Sequence, residues 1–339
     1  MRLRLVAAAI AVVAAAFPAA ASAEGGQQWS GHRITVETRN LFVGFDVGGV
    51  LAGAVPPPLA WTTLVASDPA GRAESWADEI AAERPDVVGL QEVVLVRTGP
   101  ILDPAPAQTV AYDFLDLLLD ALAARGLDYV PAAVVENLDA ELPVFAPPAL
   151  VFDGRVTDRD VILVRADRQT GIVKTVASSS GNFTTMLPPV SGITVKRGWT
   201  AVDVKLHGRT VRVVNTHLEA FSQLVAAGQA VELLAGAAGG PGPTILLGDV
   251  NAEPGEPAYN VLAGAGYADV WPVVGTGPGL TCCHDDLTPA IAYDERIDLV
   301  FARGGITPLS ARVIGDAPAG SFPFFPSDHA GVVATLELD

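Results

Sequence analysis

The sequence predicts an α/β (α+β) fold in which two mostly antiparallel β-sheets pack face to face, with helices on their outer sides. Three observations predict this fold. Segments with helical periodicity alternate with short strand-like runs along most of the chain. Residues 198–206 and 210–215 are strand-like, and the short connection between them contains His207 and Gly208, which is typical of an antiparallel hairpin. Residues 86–90 form a short apolar run, as in a buried strand.

The first third of the chain supplies elements with clear boundaries. Residues 34–40 alternate between apolar and polar side chains, which predicts a strand entering a sheet. Asp68 and Pro69 provide a helix start, and apolar residues then recur at helical spacing until Pro85. The buried strand at residues 86–90 follows at once.

The remaining elements continue the alternation. A helix over residues 114–122 is expected to stop at Gly126. From Asp160 onward most segments read as strands, with one long helix between them. The predicted strands are residues 161–164, 198–206, 210–215, 244–247, 297–302 and 331–338, and the predicted helix is residues 219–236.

The N-terminus has the layout of a secretory signal. Met1 to Arg4 carry positive charge, residues 5–17 are apolar, and Ala21-Ser22-Ala23 precede Glu24. This predicts a signal peptide at residues 1–23 and a secreted, extracytoplasmic chain at 24–339, with a retained N-terminal anchor as the alternative. No later run approaches ~20 apolar residues, so no stable membrane span is expected. No linker divides residues 24–339, which predicts a single catalytic domain.

Charge and cysteine content limit the choice of partners. The formal charge is −17, and removal of Arg2 and Arg4 with the signal makes it more negative. Such a surface repels polyanions, which disfavours nucleic-acid binding through a basic patch, although a bound cation would reverse the local sign. Cys282 and Cys283 are adjacent and form no disulfide framework; they are either a vicinal disulfide or two thiols. No protein partner is implied, and we expect a monomer.

Polar residues with catalytic or metal-binding capacity stand at the ends of the predicted central strands. Because catalytic groups collect at one edge of a rigid sheet, we expect these residues to converge. They are Asn40, Glu92, His217, Asp249, Asn251, Asp298, Asp328 and His329. Glu92, Asp328 and the Asn40 amide oxygen are hard ligands, which suit Mg²⁺, with Mn²⁺ as the other possibility.

The same residue types fit metal-assisted hydrolysis at phosphorus. His329 is the candidate base for a water molecule, and Asp298 is the candidate group that orients it. Asp249 and Asn251 are expected to hold the attacking water and a phosphate oxygen. His217 is expected to donate to another non-bridging oxygen or to the leaving group.

The candidate residues stand in six motifs, which are Thr38-Arg39-Asn40-Leu41, Val88-Gly89-Leu90-Gln91-Glu92-Val93, Asn215-Thr216-His217-Leu218, Leu247-Gly248-Asp249-Val250-Asn251, Arg296-Ile297-Asp298-Leu299 and Ser327-Asp328-His329. In these motifs the chain resembles the endonuclease/exonuclease/phosphatase superfamily, which includes deoxyribonucleases, abasic-site endonucleases, bacterial sphingomyelinases and inositol polyphosphate 5-phosphatases. The resemblance runs from Ile34 to Leu338.

The resemblance implies a four-layered α/β sandwich and Mg²⁺-dependent phosphoester hydrolysis. It places metal ligands at Asn40, Glu92 and Asp328, the base at His329 and its partner at Asp298. It also places water- and phosphate-positioning groups at Asp249 and Asn251, and His217 matches the deoxyribonuclease and sphingomyelinase branch. Arg159-Asp160 looks like the deoxyribonuclease pair whose arginine approaches phosphate, so the implied substrate-binding residues are Asn251, His217 and Arg159.

Several stretches have no counterpart in a minimal family member. Residues 47–61, 142–151 and 182–190 are apolar and rich in proline, and we expect surface loops that shape a substrate cleft. Residues 322–326 carry three phenylalanines, either as core packing or as a lip near the metal. Residues 279–284 resemble a loop of exported bacterial members, in which His284 is expected to be structural.

The predicted function is that of a secreted phosphodiesterase acting on a lipid headgroup or a small phosphodiester, in the manner of a sphingomyelinase. The first alternative is a secreted deoxyribonuclease-like endonuclease, which Arg159-Asp160 favours and the scarcity of lysine near the motifs disfavours. An inositol-phosphate phosphatase and a catalytically inactive binding module are the remaining alternatives. The motifs define how a phosphoester is cut, but they do not identify the substrate.

Overall fold

Two mixed β-sheets form the centre of this protein, as a computed structural model shows. The model describes residues 32–166, 173–206, 208–283, 287–288, 292–318 and 324–339. The predicted signal peptide at residues 1–23, His207, His284 and Phe322 lie outside the described residues. The signal peptide and the single-domain organisation therefore stay predictions.

Strands and helices alternate along the chain. The strands in the described ranges are β1 (Arg33–Asn40), β2 (Val87–Gln91), β3 (Leu95–Gly99), β4 (Thr109–Asp113), β5 (Tyr129–Ala146), β6 (Leu150–Arg165), β7 (Val173–Asn182), β8 (Gly198–Leu206), β9 (Arg209–His217), β10 (Thr244–Asp249), β11 (Ala268–Asp269), β12 (Asp298–Arg303), β13 (Ile306–Ile314) and β14 (Gly331–Leu338). The helices are α1 (Val47–Leu51), α2 (Pro57–Ala66), α3 (Pro69–Glu83), α4 (Phe114–Ala124), α5 (Gln223–Ala235), α6 (Pro257–Gly264) and α7 (Trp271–Val274).

Each sheet has a parallel pair at its centre and antiparallel neighbours around it. The first sheet runs β13-β14-β1-β2-β6-β3-β4, with β5 paired to β6, and the second runs β11-β12-β10-β9-β8-β7. Strands β1 and β2 are parallel, and so are β9 and β10. Because parallel strands end at the same edge, the ends of these four strands supply a common platform.

Three apolar clusters fill the spaces between the layers. One lies between the two sheets and includes Val36, Ile162, Val213, Ile245 and Val332. A second packs α3 and α4 on the first sheet, and a third packs α5 and α6 on the second sheet. Alternation along each strand supplies one apolar face to the sheet–sheet interface and the other to the helices. The predicted four-layered sandwich is therefore confirmed.

The ends of the helices follow from local capping. Asp68 accepts a hydrogen bond from Gly71 N, and Pro69 fills the first helical position of α3, as the sequence predicted. The helix predicted from residue 219 instead begins at Gln223, because Ser222 caps it. Glu219 stays in the preceding turn, where its backbone N–H donates to Gln229 Oε1.

Two of the three stretches expected to be loops are largely regular structure. Residues 47–61 contain α1 and the first half of α2, and residues 142–151 contain the two ends of the β5–β6 hairpin. Proline begins α2, so a residue taken as a loop signal here marks a helix start. Residues 182–190 are mainly irregular and lead from β7 toward β8.

The described part of the segment at residues 322–326 packs inward. Phe325 is buried, and its ring lies 5.7 Å from that of Tyr293. Pro326 O accepts hydrogen bonds from Arg72 Nε and Trp76 Nε1 on α3. Core packing, one of the two expected roles, thus describes Phe325 and Pro326. Among the described residues, no helix is long and apolar enough to cross a membrane.

Candidate active site

Strand register brings three of the predicted residues into one row. Asp249, at the end of β10, pairs with His217 on β9 and with Asp298 on β12. In the facing sheet, Asn40 at the end of β1 pairs with Gln91, so Glu92 follows directly beyond the strand ends. Both groups therefore lie at the same edge of the sandwich, as the sequence predicted.

The turn at residues 327–329 places a histidine against a buried carboxylate. Ser327 Oγ donates to Asn40 O over 2.8 Å and accepts from His329 N over 3.1 Å, which ties the turn to the end of β1. His329 Nδ1 lies 2.9 Å from Asp298 Oδ2. His329 Nε2 lies 3.9 Å from Asp249 Oδ2. In the neutral form of His329 the ring proton is assigned to Nδ1, where it donates to Asp298, so the Nε2 lone pair is directed toward Asp249.

The charges around His329 favour its protonated form. Burial acts to lower the pKa of His329, but the charge and hydrogen bond of Asp298, together with Asp249 and Asp328, raise it well above the usual range. An imidazolium at this position is therefore stabilised by its surroundings. This is the property required of a base that has just accepted a proton.

Asn40 joins the carboxylates of the two sheets. Its Nδ2 donates to Glu92 Oε1 over 3.2 Å and to Asp249 Oδ2 over 3.1 Å. Its Oδ1 accepts from Phe42 N over 2.9 Å. Glu92 Oε2 in turn accepts from Val43 N over 2.7 Å. The turn after β1 thus fixes Asn40 and Glu92 together.

Buried carboxylates accumulate at this edge and fit a hard cation. Burial, together with the nearby charge of Glu92, raises the pKa of Asp328 to about 6. Burial also raises the pKa of Asp249 to about 7, with Asp298 adding to the effect. Negative charge that is costly to bury is stabilised by a divalent cation, and oxygen ligands of this kind suit Mg²⁺ or Mn²⁺. The carboxylates of Glu92 and Asp328 suit such a cation, whereas the Asn40 amide oxygen accepts from Phe42 N and its Nδ2 faces Glu92 and Asp249.

His217 lies on the other side of Asp249. Its Nε2 is 3.4 Å from Asp249 Oδ2, and its Nδ1 is 4.0 Å from Asp160 Oδ1. Burial and the adjacent Arg197 lower the pKa of His217 well below its usual value, so the ring is neutral. Asp160 accepts from Asn137 Nδ2 over 2.7 Å, and burial together with Asp158 raises its pKa. A neutral His217 is a donor or an acceptor, not a cation.

Asn251 occupies a tight turn beyond β10. Its φ of 49° lies in the left-handed region, which asparagine tolerates better than most residues. Its backbone N–H donates to Asp249 Oδ1 over 3.0 Å, and its Nδ2 donates to Leu218 O over 3.0 Å. Gln223 Nε2 donates to Asn251 O over 2.6 Å. The turn places Asn251 between Asp249 and the start of α5.

Arg159 is not brought into contact with the other predicted residues. Its Nη2 lies 2.5 Å from Asp113 Oδ1, and its Nε donates to Val93 O over 2.8 Å. The guanidinium is thus bound to α4's capping residue and to the turn after Glu92. This arrangement supports that turn and pairs the Arg159 charge with Asp113.

Sequence reasoning missed two arginines that the structure places at the site. Arg197 Nη1 lies 3.1 Å from Nδ1 and 3.0 Å from Nε2 of His217, and Arg197 Nε has no hydrogen-bond partner among the described residues. Arg72 on α3 is fully buried and donates to the backbone oxygens of Leu41, Phe42 and Pro326. Arg72 therefore holds the segments that carry Asn40 and Asp328. The position of Arg72 on the apolar face of α3 was the one available signal.

The adjacent cysteines form a vicinal disulfide beside the histidine. Cys282 is buried, and its Sγ lies 3.5 Å from His329 Nε2. The preceding Thr281 accepts from the backbone N–H groups of Ile297 and Asp298 through its Oγ1. Cys282, Cys283 and His329 have potential ligand atoms within 4.8 Å of one another, as do Asp249, Asp298 and His329. Disulfide sulfurs are poor metal ligands, because the ligand form of cysteine is the thiolate.

The comparison with family models identifies the family to which this fold and these motifs belong. The chain belongs to the endonuclease/exonuclease/phosphatase family, whose model matches residues 65–329. Enzymes of this family are generally hydrolases of phosphoesters that depend on divalent metals. No curated protein matches this chain by sequence.

Solved structures with the same fold are distant in sequence. A family member from Bacteroides thetaiotaomicron is 17% identical, with a TM-score of 0.60 over 91% of this chain and 98% of that one. The mannosyl-6-phosphatase Bt3783 from the same species is 17% identical, with a TM-score of 0.58 over 89% and 99% of the two chains. D. rerio TDP2, complexed with a single-strand DNA product, is 18% identical, with a TM-score of 0.54 over 90% and 99%. These likenesses support the fold alone.

Proposed function

We propose that this protein is a secreted, Mg²⁺-dependent phosphodiesterase in which His329 activates the attacking water. The observation that carries the proposal is the pairing of His329 Nδ1 with Asp298 at 2.9 Å, with Nε2 directed toward Asp249. Export is supported by the signal-like residues 1–23. The site lies at the strand ends, where Glu92, Asn251 and Asp328 are half-buried and the two histidines are buried.

Each side chain has a distinct task in this mechanism. His329 Nε2 accepts the proton of a water molecule, and Asp298 keeps the ring in the required tautomer. Asp249 lies between the two histidines and orients the water, while Asn251 binds a phosphate oxygen. Neutral His217 donates a hydrogen bond to another phosphate oxygen or to the leaving group.

Glu92, Asp328 and Asn40 form the proposed metal group, with Mg²⁺ as the expected ion and Mn²⁺ as a functional substitute. When bound, the ion neutralises phosphate charge and stabilises the leaving oxygen. Glu92 is fixed by Val43 N and Asn40 Nδ2, and Asp328 is placed by the Ser327 turn. The protein thus presents these groups in a preset arrangement.

The proposed substrate class is a phosphodiester on a lipid headgroup or a small molecule. The negative net charge disfavours long polyanions. Arg159 is held by Asp113, so the feature that favoured a deoxyribonuclease does not supply a cation next to His217. The solved neighbours include both a sugar phosphatase and a DNA-bound protein, so the fold is compatible with several phosphoesters.

A parallel substrate panel tests the proposal. The purified protein is incubated in Mg²⁺ or Mn²⁺ with sphingomyelin, glycerophospholipid, plasmid DNA, RNA, inositol phosphates and an activated bis-aryl phosphate. We expect cleavage of the bis-aryl phosphate and of a small or lipid phosphodiester. Preferred cleavage of plasmid DNA would instead support the endonuclease, and cleavage of inositol phosphates alone would support a phosphatase. No hydrolysis of any substrate would support an inactive binding module.

A further inference from the structure

Helix α1 forms one wall of an apolar cleft beside the candidate active site. The cleft has a volume of about 310 Å³, at the lower end of the range for small-molecule sites. Leu51 and Ala52 line it from α1, Pro188, Val190 and Ile193 line it from the segment that precedes β8, and Phe221 closes a third side. Glu219 is the one charged residue among the lining groups.

The cleft has fixed walls. Ser191 Oγ donates to Leu51 O over 3.2 Å, which ties the outer wall to α1. At its other end this wall is attached to α5, because Thr184 N and Thr184 Oγ1 both donate to Glu232. A Cβ at Gly48 would lie 3.0 Å from Phe221 Cζ, so α1 and Phe221 are in close contact. The cavity is therefore a preformed feature of the fold.

Several residues that line the cleft are close in sequence to residues of the catalytic edge. Glu219 and Phe221 lie two and four positions after His217, in the turn that follows β9. The outer wall leads within a few residues to Arg197, whose guanidinium contacts His217. On the opposite side, α1 follows the segment in which Val43 N binds Glu92. One ligand could therefore contact the cleft and the residues around His217 together.

We propose that the cleft binds an aliphatic chain of the phosphoester substrate, whose phosphate lies at His217 and Arg197. The proposal rests on the proposed function, and it identifies the substrate as an amphiphile with an alkyl or acyl chain. Apolar walls give little to a sugar or a nucleotide, whose polar groups would lose water without gaining hydrogen bonds. An alkyl chain gains from each methylene removed from water. Glu219 is held by its own backbone contacts, since its Oε1 accepts from Phe221 N.

Alkyl phosphates test the cleft without requiring turnover. Binding of methyl, butyl and octyl phosphate to the full protein in Mg²⁺ is measured by calorimetry, below the micelle concentration of the octyl compound. We expect the affinity to increase by about three- to fourfold for each added methylene until the cleft is filled. Equal affinities for methyl and octyl phosphate would overturn the proposal.

Matched variants assign the effect to the cleft. Val190→Asp places a charge in the wall, and Ala52→Trp fills the space with a ring; both should remove the preference for octyl phosphate. Val176→Asp is the control, because Val176 on β7 lies outside the lining and is 52% exposed, against 43% for Val190. A retained preference in both cleft variants, or its loss in the control, would overturn the assignment.

His329→Ala separates this inference from the proposed function. Loss of hydrolysis with an unchanged preference for octyl phosphate would support both. If the unmutated protein prefers octyl phosphate but hydrolyses no phosphodiester, the result would support the cleft and contradict the proposed function. Hydrolysis of phosphodiesters without any effect of chain length would support the proposed function and contradict the cleft.

Discussion

The hydrogen bond between Asp298 and His329 provides a sharp test of how the site positions its base. Asp298 Oδ2 is 2.9 Å from His329 Nδ1, and both side chains are buried. Asp298→Ala removes the partner. Asp298→Asn keeps the size of the side chain, but its amide N–H favours the tautomer with the proton on Nε2. The two variants therefore separate loss of support from reversal of the tautomer.

The expected losses differ between the two variants. Asp298→Ala removes a charge-assisted hydrogen bond of ~1.5–3 kcal/mol, which corresponds to about a 10- to 150-fold lower kcat. Asp298→Asn also blocks Nε2, so its loss should approach the ~10²- to 10⁴-fold contribution of a general base. We expect Asp298→Asn to be at least as impaired as Asp298→Ala.

Steady-state hydrolysis of a bis-aryl phosphate in saturating Mg²⁺ measures both effects, and circular dichroism checks the fold of each variant. Asp269→Asn is the matched control, because Asp269 is also buried but binds Arg296 at 2.7 Å instead of a site histidine. The control should retain its kcat. A folded Asp298→Asn variant with the kcat of the parent chain would refute the assigned role of Asp298.

Two further predictions concern charged groups near and within the sheets. Burial, with the nearby charge of Glu79, raises the pKa of Glu37 from 4.5 to about 8. Between pH 4.5 and pH 8 the folded chain therefore keeps a proton on Glu37 that the unfolded chain loses. The free energy of unfolding falls as the pH rises through this range. Chemical denaturation should therefore show Glu37→Gln to be more stable than the parent at pH 8, by up to about 5 kcal/mol, and nearly equal to it below pH 4.5; equal stability at both pH values would contradict the shift. Arg197→Ala should lower kcat/KM by about 10- to 150-fold and leave Tm nearly unchanged, because it removes a charged donor beside His217. Arg159→Ala should lower Tm and leave kcat/KM nearly unchanged. The reverse pattern would restore Arg159 as the phosphate-binding arginine.

Much of the site could be predicted because its residues stand at strand ends. Asp249 ends a short apolar run and Asp298 begins another, and the antiparallel pairing of β10 with β12 places these two ends opposite each other. The position of His329 could be predicted in the same way. His329 lies just before β14, which pairs with β1, and β1 carries Asn40. The local sequence therefore indicated which strand ends carry the site residues in both sheets.

The parts that sequence reasoning missed depend on strand lengths and contacts that local patterns do not contain. The hairpin of β8 and β9 was predicted, but β9 continues two residues beyond the predicted end at Asn215, which places Gly198 opposite His217 and brings Arg197 to the ring. Arg72 is far from the motifs in sequence, and its role follows from the packing of α3 under Pro326. The apolar cleft requires α1, whose five residues are too few for a clear helical period.

The proposed function requires His329 and a divalent metal to act together in the hydrolysis of a phosphodiester. The most direct measurement is the rate of hydrolysis of a bis-aryl phosphate in Mg²⁺, after chelation, and in His329→Ala, with His32→Ala as a control outside the site. We predict that chelation abolishes the activity, that added Mg²⁺ or Mn²⁺ restores it, and that His329→Ala lowers it by about 10²- to 10⁴-fold while His32→Ala retains it. Activity that survives both chelation and the loss of His329 would contradict this mechanism.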